Sequence, residues 1–517
     1  MIDAMASSNT DPSATQERVF AFLSDQAAHP GVTRIDTHAA SVFLHDKRAL
    51  KIKRAVSFPF LDYSTLAKRK AACEEEIRIN RPLAPQIYRG VVAITEDDGG
   101  TLRIGGGGTA IEYGVEMVRF DENRTLDHLV KAAPFASELA ADIADAIAAS
   151  HAIAPHAQVR WTGAIPELID DNVAGLRHGG YRSAAEIEDL ARTSHQAFAR
   201  LRALLDDRGK AGFVRRCHGD LHLGNIVLID DQPVLFDAIE FSPEIASVDV
   251  LYDLAFTLMD LLRYGQLTAA NVVLNRYLAT TPAENLDALG ALPLYMSIRA
   301  AIRAKVLLAK LKRAHADQDE TAADAGCYFR LAQTLISPSP PRLVAVGGLS
   351  GTGKSLLARM LAPGIHPQPG AVLLRSDLVR KELFQVRETE RLPPSAYEGQ
   401  MTTRVYDALV NRAQRILAQG HSVVVDAVFA QASERDAMTA LARTCHMPLT
   451  GLFLTADLAT RQARIGGRQN DASDATPEVA ALQEHYNIGE VDWARIDASG
   501  TPEQTRDRCR MEIAGDR

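Results

Sequence analysis

The stretch Gly348-Leu-Ser-Gly-Thr-Gly-Lys-Ser355 constrains this chain more than any other. It fits G-x-x-x-x-G-K-[ST], in which Gly348, Gly351 and Gly353 let backbone N–H groups close around a phosphate. The flanks agree with the pattern. Leu343-Val-Ala-Val346 reads as a buried strand, and Ser355-Leu-Leu-Ala-Arg-Met-Leu-Ala362 as the first turns of a helix. A helix N-terminus behind the loop adds a dipole that favours the anion. Gly348, Gly351, Thr352, Gly353, Lys354 and Ser355 are therefore the candidate nucleotide ligands. Lys354 reaches toward the β- and γ-phosphates, and the Ser355 hydroxyl is a candidate Mg²⁺ ligand. Such a loop opens its own fold, so residues 1–336 are expected to form a separate domain. Ser337-Pro-Ser-Pro-Pro341 supplies a stiff linker, and 342–517 the second domain.

Bulk composition narrows the class. A chain of 517 residues with 46% hydrophobic and 24% charged content can bury large cores. A net charge of −8 disfavours nonspecific nucleic-acid binding as the main activity. The five cysteines are scattered without a C-x-x-C pair, which points to reduced thiols and no zinc site. Neither a secretory signal nor an apolar run long enough to span a membrane is visible. The expectation is a cytoplasmic enzyme with no membrane or nucleic-acid partner.

Ahead of the linker, Glu17–His29 has helical spacing. Thr33–Asp36, Ser41–Leu44, Arg48–Lys53, Gly90–Glu96 and Thr109–Met117 alternate as strands of an antiparallel sheet. In Ala49-Leu-Lys-Ile-Lys53 both lysines share one face. A charged helix over Ser64–Arg81 carries Glu74-Glu-Glu76. Gly105-Gly-Gly-Gly108 precedes a strand rather than a helix, so it reads as a hairpin loop and not as a phosphate loop. From Leu126 to about Leu335 the pattern is mostly helical, with one interruption.

That interruption is Val214-Arg-Arg-Cys-His-Gly-Asp-Leu-His-Leu-Gly-Asn-Ile-Val-Leu-Ile229, followed by Val234-Leu-Phe-Asp237. The spacing H-x-D-x-x-x-x-N, then a strand ending in Asp, suits phosphoryl transfer. One carboxylate takes the acceptor proton, while an amide and a second carboxylate hold a metal ion against the phosphates. These residues resemble the aminoglycoside phosphotransferase group of kinase-like enzymes, with His218-Gly-Asp220 where protein kinases carry His-Arg-Asp. The resemblance implies a two-lobed α+β fold, Asp220 as base, and Asn225 and Asp237 as metal ligands. It assigns Asp249 and Asp253 to a helix bracing the loop. A lysine paired with a glutamate should hold the α- and β-phosphates. The A-x-K form favours Lys51 over Lys53, and Glu76 is the expected partner, with Glu74 and Glu75 as alternatives. By the same resemblance, the segment Asp36–Val42 is expected to cover the phosphates with few glycines, and the hinge to lie near Glu116-Met-Val118.

After residue 342, strands Ala371–Leu374, Ser422–Asp426, Leu449–Leu454 and Ala494–Ile496 alternate with helices Ser395–Gln419, Ser433–Thr444 and Leu458–Ile465. Alternation of this kind predicts an α/β domain, a parallel sheet between helices, with ligands at the C-terminal strand ends. Asp377 and Asp426 fall there. The segment resembles small P-loop kinases of the gluconate-kinase and zeta-toxin kind. That resemblance implies that Asp377 contacts the acceptor hydroxyl and that Arg461, Arg464 and Arg468 form a lid over the phosphates. It also makes Asp426 an acid assisting Mg²⁺.

The whole arrangement resembles bacterial two-domain proteins joining these modules, often labelled AAA family ATPases. The expected function is ATP- and Mg²⁺-dependent phosphoryl transfer at two centres, each to a hydroxyl of a small molecule. Two alternatives stand beside it, a nucleotide-binding regulatory module and a zeta-like kinase of nucleotide sugars.

Overall fold

The computed structural model describes residues 12–58, 61–180, 183–311, 318–467 and 472–515. By packing, the chain divides into two compact units. The first comprises 1–134, 146–162 and 206–257, the second 135–145, 163–205 and 258–517. The proline-rich segment 337–341 lies inside the second unit, between helix Gln318–Ile336 and strand Leu343–Gly348.

The first unit holds a six-stranded antiparallel sheet in the spatial order Thr33–Asp36, Ala40–His45, Arg48–Lys53, Thr109–Val118, Tyr88–Glu96, Leu102–Ile104. Phe43, Leu50, Ile52 and Ile94 fill one face with Val19, Phe20 and Leu23 from helix Pro12–Ser24. The charged helix spans Leu66–Asn80, and Thr65 caps it by accepting from Lys68 N at 3.3 Å. Its buried residues Cys73 and Glu76 turn toward the sheet. The helix opens and closes within two residues of the predicted limits.

The expectation of a hairpin at Gly105–Gly108 is corrected. Strands Leu102–Ile104 and Thr109–Val118 both pair with Tyr88–Glu96, on opposite sides of it. The glycine run therefore crosses the end of that strand. At Gly108, φ is +132° and a Cβ would stand 2.5 Å from the Glu96 carbonyl oxygen, so only glycine passes this close.

Strand Val214–Arg216 pairs with Ser247–Asp249. A second two-stranded ribbon, Ile226–Ile229 with Gln232–Leu235, turns at Asp230 and Asp231. Both turn residues have positive φ, 51° and 60°, as a two-residue primed turn requires.

In the second unit five parallel strands lie in the order Val372–Arg375, Val423–Asp426, Leu343–Gly348, Leu449–Thr455, Ala494–Asp497. Every strand predicted after residue 342 is present. Val344, Val346, Val424, Leu452 and Leu454 bury against Leu357 and Leu361 of helix Lys354–Leu361. A sheet apolar on both faces needs helices on both, which explains the near-continuous apolar runs. The helices of 258–336 belong to this unit as well. Asn275 donates to Ala371 O at 3.2 Å and accepts from Leu373 N at 2.7 Å, pairing part of the free backbone edge of strand Val372–Arg375.

Candidate active sites

In the first unit the site is assembled from a strand, a helix and two loops. Lys51 and Lys53 stand two residues apart on one strand, so both ammonium groups leave the same face. Glu76 meets both. Its Oε1 lies 3.0 Å from Lys51 Nζ and its Oε2 2.5 Å from Lys53 Nζ. Lys51 also donates to Asp237 Oδ1 at 2.6 Å, whereas Lys53 pairs with Glu240, which in turn accepts from Tyr63 OH at 3.0 Å. Glu74 and Glu75 are turned outward, to Lys70 at 3.6 Å and to Arg78 at 2.6 Å. The lysine facing Asp237 is thus Lys51. Lys53, Glu240 and Tyr63 form a buried polar network beside it that the motifs did not reveal. The one signal for it was the shared face of the two lysines.

Burial disfavours the Asp237 carboxylate, but Lys51 overrides that and holds its pKa down at about 2. Burial likewise opposes the Lys51 charge, and Asp237 and Glu76 raise its pKa well above the usual lysine range. Asp237 adopts φ 61°, the left-handed region, which turns its carboxylate out of the strand direction.

His218, Asp220 and Asn225 sit on one loop. Asn225 Nδ2 donates to Asp220 O at 2.8 Å and to Asp220 Oδ2 at 3.3 Å. His218 is buried, and burial lowers its pKa. Its Nε2 lies 2.9 Å from Phe236 O, tying the loop to the residue before Asp237. Asp253, on helix Val250–Arg263, accepts from His218 N at 3.2 Å and Gly219 N at 2.8 Å and so braces the loop as expected. Asp249 does not: it ends strand Ser247–Asp249, ahead of that helix, and holds Arg208 at 2.6 and 2.8 Å.

In the second unit, Lys354, Ser355, Asp377, Asp426, Arg464 and Ser473 line one cavity of about 330 Å³. Lys354 opens helix Lys354–Leu361, with Gly353 at its cap, and Asp377 lies in the first turn of helix Ser376–Leu383. Asp426 ends the neighbouring strand and faces Arg375 Nε at 3.4 Å. Burial pushes the Asp377 pKa up, and the Asp426 charge pushes it further, against the pull of Arg375, Lys354 and the Ser473 hydroxyl.

Arg461, Arg464 and Arg468 fare differently from one another. Arg461 is 1% exposed and its guanidinium is committed to protein groups. It donates to Ser350 O at 2.9 Å and Ala480 O at 3.0 Å and pairs with Glu484. It ties the phosphate loop to helix Pro477–Gln483, an element the sequence reading did not include. At Gly351 a Cβ would stand 2.5 Å from Arg461 O, so this close passage needs glycine. Arg464 reaches Gly500 O at 3.0 Å and lines the cavity. Arg468 lies outside the described residues.

Both centres suit Mg²⁺, a hard cation that takes oxygen ligands. Asp237 is half-buried, with part of its side chain open and its carboxylate already on a cationic partner. Asp377 and Asp426 are two carboxylates in one cavity with the Ser355 hydroxyl.

Residues 62–289 match the Phosphotransferase enzyme family, and residues 343–486 match an AAA domain. An uncharacterized protein of Mycobacterium tuberculosis is 30% identical over 488 residues, covering 91% of this chain and 93% of its own. Among solved structures, a choline/ethanolamine kinase family protein from Mesorhizobium loti is 15% identical, with a TM-score of 0.39 over 62% of this chain and 95% of its own. A gluconokinase from Sinorhizobium meliloti is 18% identical, with a TM-score of 0.25 over 34% of this chain and 93% of its own. By the two family matches, a kinase-like domain of the phosphotransferase family precedes a P-loop kinase domain with a parallel sheet, and the chain belongs to the family that includes its uncharacterized mycobacterial relative.

Proposed function

We propose that the chain is a Mg²⁺- and ATP-dependent phosphotransferase with two centres, each moving a γ-phosphoryl group to a hydroxyl of a small molecule. The observation that supports this reading is that each unit groups candidate residues of its own. Lys51, Glu76 and Asp237 meet within 3.0 Å in one, and Lys354, Ser355, Asp377 and Asp426 line one cavity in the other. A decayed regulatory module has no reason to keep both.

Bound Mg·ATP supplies the phosphoryl group and the charge neutralisation it requires. The residues do the rest. In the first centre Lys51, positioned by Glu76, steadies the α- and β-phosphates, and Asn225 and Asp237 hold the metal ion. Asp220 takes the acceptor proton. In the second, backbone N–H groups of 353–355, at the head of the helix, cradle the phosphates, Lys354 stabilises charge on the transferring group, and Ser355, with Asp426, serves the metal ion. Asp377 takes the proton, and its raised pKa makes it a stronger base than an ordinary aspartate. The modules for this chemistry divide at 337–341. The acceptors are small hydroxylated molecules rather than nucleic acid, in keeping with the charge of −8. A cytoplasmic setting fits the free cysteines. Among the described residues no helix is long and apolar enough to cross a membrane.

The test is a screen of sugars, nucleosides, polyols and aminoglycosides for ATP-dependent phosphorylation by the full chain and its variants. Asp220→Asn should cost about 10²–10⁴ in rate on acceptors of the first centre with nucleotide binding kept. An Asp220→Asn protein that phosphorylates every acceptor at the original rate would refute the assignment.

A further inference from the structure

Ser473 has surroundings that neither a cap nor a packing role explains. It lies between helices Leu458–Gly466 and Pro477–Gln483, partly buried, and its side chain lines the same cavity as Lys354, Ser355 and Asp377. Its hydroxyl donates a hydrogen bond to the Asp377 carboxylate. The next residue fixes it there. Asp474 accepts from Lys381 Nζ at 2.8 Å, from Leu392 N at 3.0 Å and from Tyr397 OH at 2.7 Å, and Lys381 is 2% exposed. An alcohol of the chain itself therefore stands on the candidate base Asp377 and inside the cavity lined by Lys354 and Ser355.

We propose that the P-loop centre phosphorylates its own Ser473. The proposal rests on the reading of this cavity as an ATP site with Asp377 as its base. Ser473 Oγ attacks the γ-phosphorus of bound ATP. The Oγ–P bond forms as the bond from that phosphorus to the β,γ-bridging oxygen breaks. ADP leaves with the electron pair, and the hydroxyl proton passes to Asp377. Attack from within the chain needs no second substrate to be captured and oriented, which favours it over transfer to water. The product sets a phosphate of charge about −1.5 to −2 beside Asp377, Asp426 and Asp474, and like-charge repulsion then drives the segment off the base. The centre is thereby marked when it holds ATP without an acceptor.

The experiment uses the full chain carrying Asp220→Asn, so that the first centre is disabled. It is incubated with Mg·ATP alone, and phosphate is mapped by peptide mass spectrometry while ADP is measured in parallel. Phosphate should accumulate on Ser473 toward one per chain, with a rate constant independent of protein concentration. It should vanish when Lys354→Ala is added, and Ser473→Thr should carry it as phosphothreonine. Lys354-dependent ADP formation with Ser473 unmodified would overturn the proposal and spare the ATP-site reading. Absence of both label and Lys354-dependent ADP would overturn the two together. A rate that rises with protein concentration would overturn the intramolecular step.

Discussion

Glu76 is fully buried and shared between two cations, which makes Lys51 and Lys53 unequal in consequence. Lys53 is 2% exposed and pairs with both Glu76 and Glu240. Removing it leaves two buried carboxylates undercompensated, and breaking a buried ion pair costs about 3–5 kcal/mol. Lys53→Met should therefore lower the denaturant midpoint sharply, whereas Lys51→Met should weaken nucleotide binding more than it lowers stability. Urea unfolding and nucleotide titration of both variants separate the two. Asp377 carries a cost of the opposite kind. Its pKa is raised in the fold, so its ionised form opposes folding at neutral pH. Asp377→Asn should raise the melting temperature at pH 7 while removing about 10²–10⁴ of turnover at the second centre. The gain should shrink on acidification and disappear below about pH 4, where the unfolded carboxyl is also protonated. A variant less stable than the parent at pH 7 would contradict the charge accounting.

At the scale of elements, helix Leu458–Gly466 separates two roles that its sequence merges. Arg461 and Arg464 are three residues apart and read alike as lid arginines. Yet Arg461 is buried and spent on Ser350 O and Ala480 O, while Arg464 is half-buried, touches Gly500 O and lines the cavity. Arg461→Ala leaves buried carbonyl oxygens unpaired, at about 1–3 kcal/mol each. It should lower both stability and nucleotide affinity. Arg464→Ala should lower stability less than Arg461→Ala, since water can reach its half-exposed partner Gly500, and lose turnover, on the order of 3 kcal/mol in the barrier. Thermal unfolding beside steady-state kinetics checks both. The difference shows what the sequence could carry. Strands Leu343–Gly348, Val423–Asp426 and Leu449–Thr455 were legible because burial on both faces leaves unbroken apolar runs. The loop at His218 and the loop at Gly348 were legible because their chemistry fixes spacing within a few residues. Glu240 was not, since its partners Lys53 and Tyr63 lie 187 and 177 positions away and no local pattern marks such a pairing. Helix Pro477–Gln483 was missed because seven residues are too few to set a period. At Gly105–Gly108 composition signalled a tight turn, but which strands flank it was decided by pairing to Tyr88–Glu96.

For the molecule as a whole, the proposal is of two chemically independent phosphotransfer centres, each with its own candidate phosphate lysine, candidate metal ligands and candidate carboxylate base. The rival is a single composite site in which one part of the chain positions substrate for the other. Calorimetric titration of the full chain with a non-hydrolysable Mg·ATP analogue distinguishes them without knowledge of any acceptor. The account predicts two nucleotides bound per chain, and one in each of the Lys354→Ala and Asp237→Ala proteins, with the surviving site's affinity unchanged. One nucleotide per chain in the parent, abolished by either substitution while the fold persists, would contradict it.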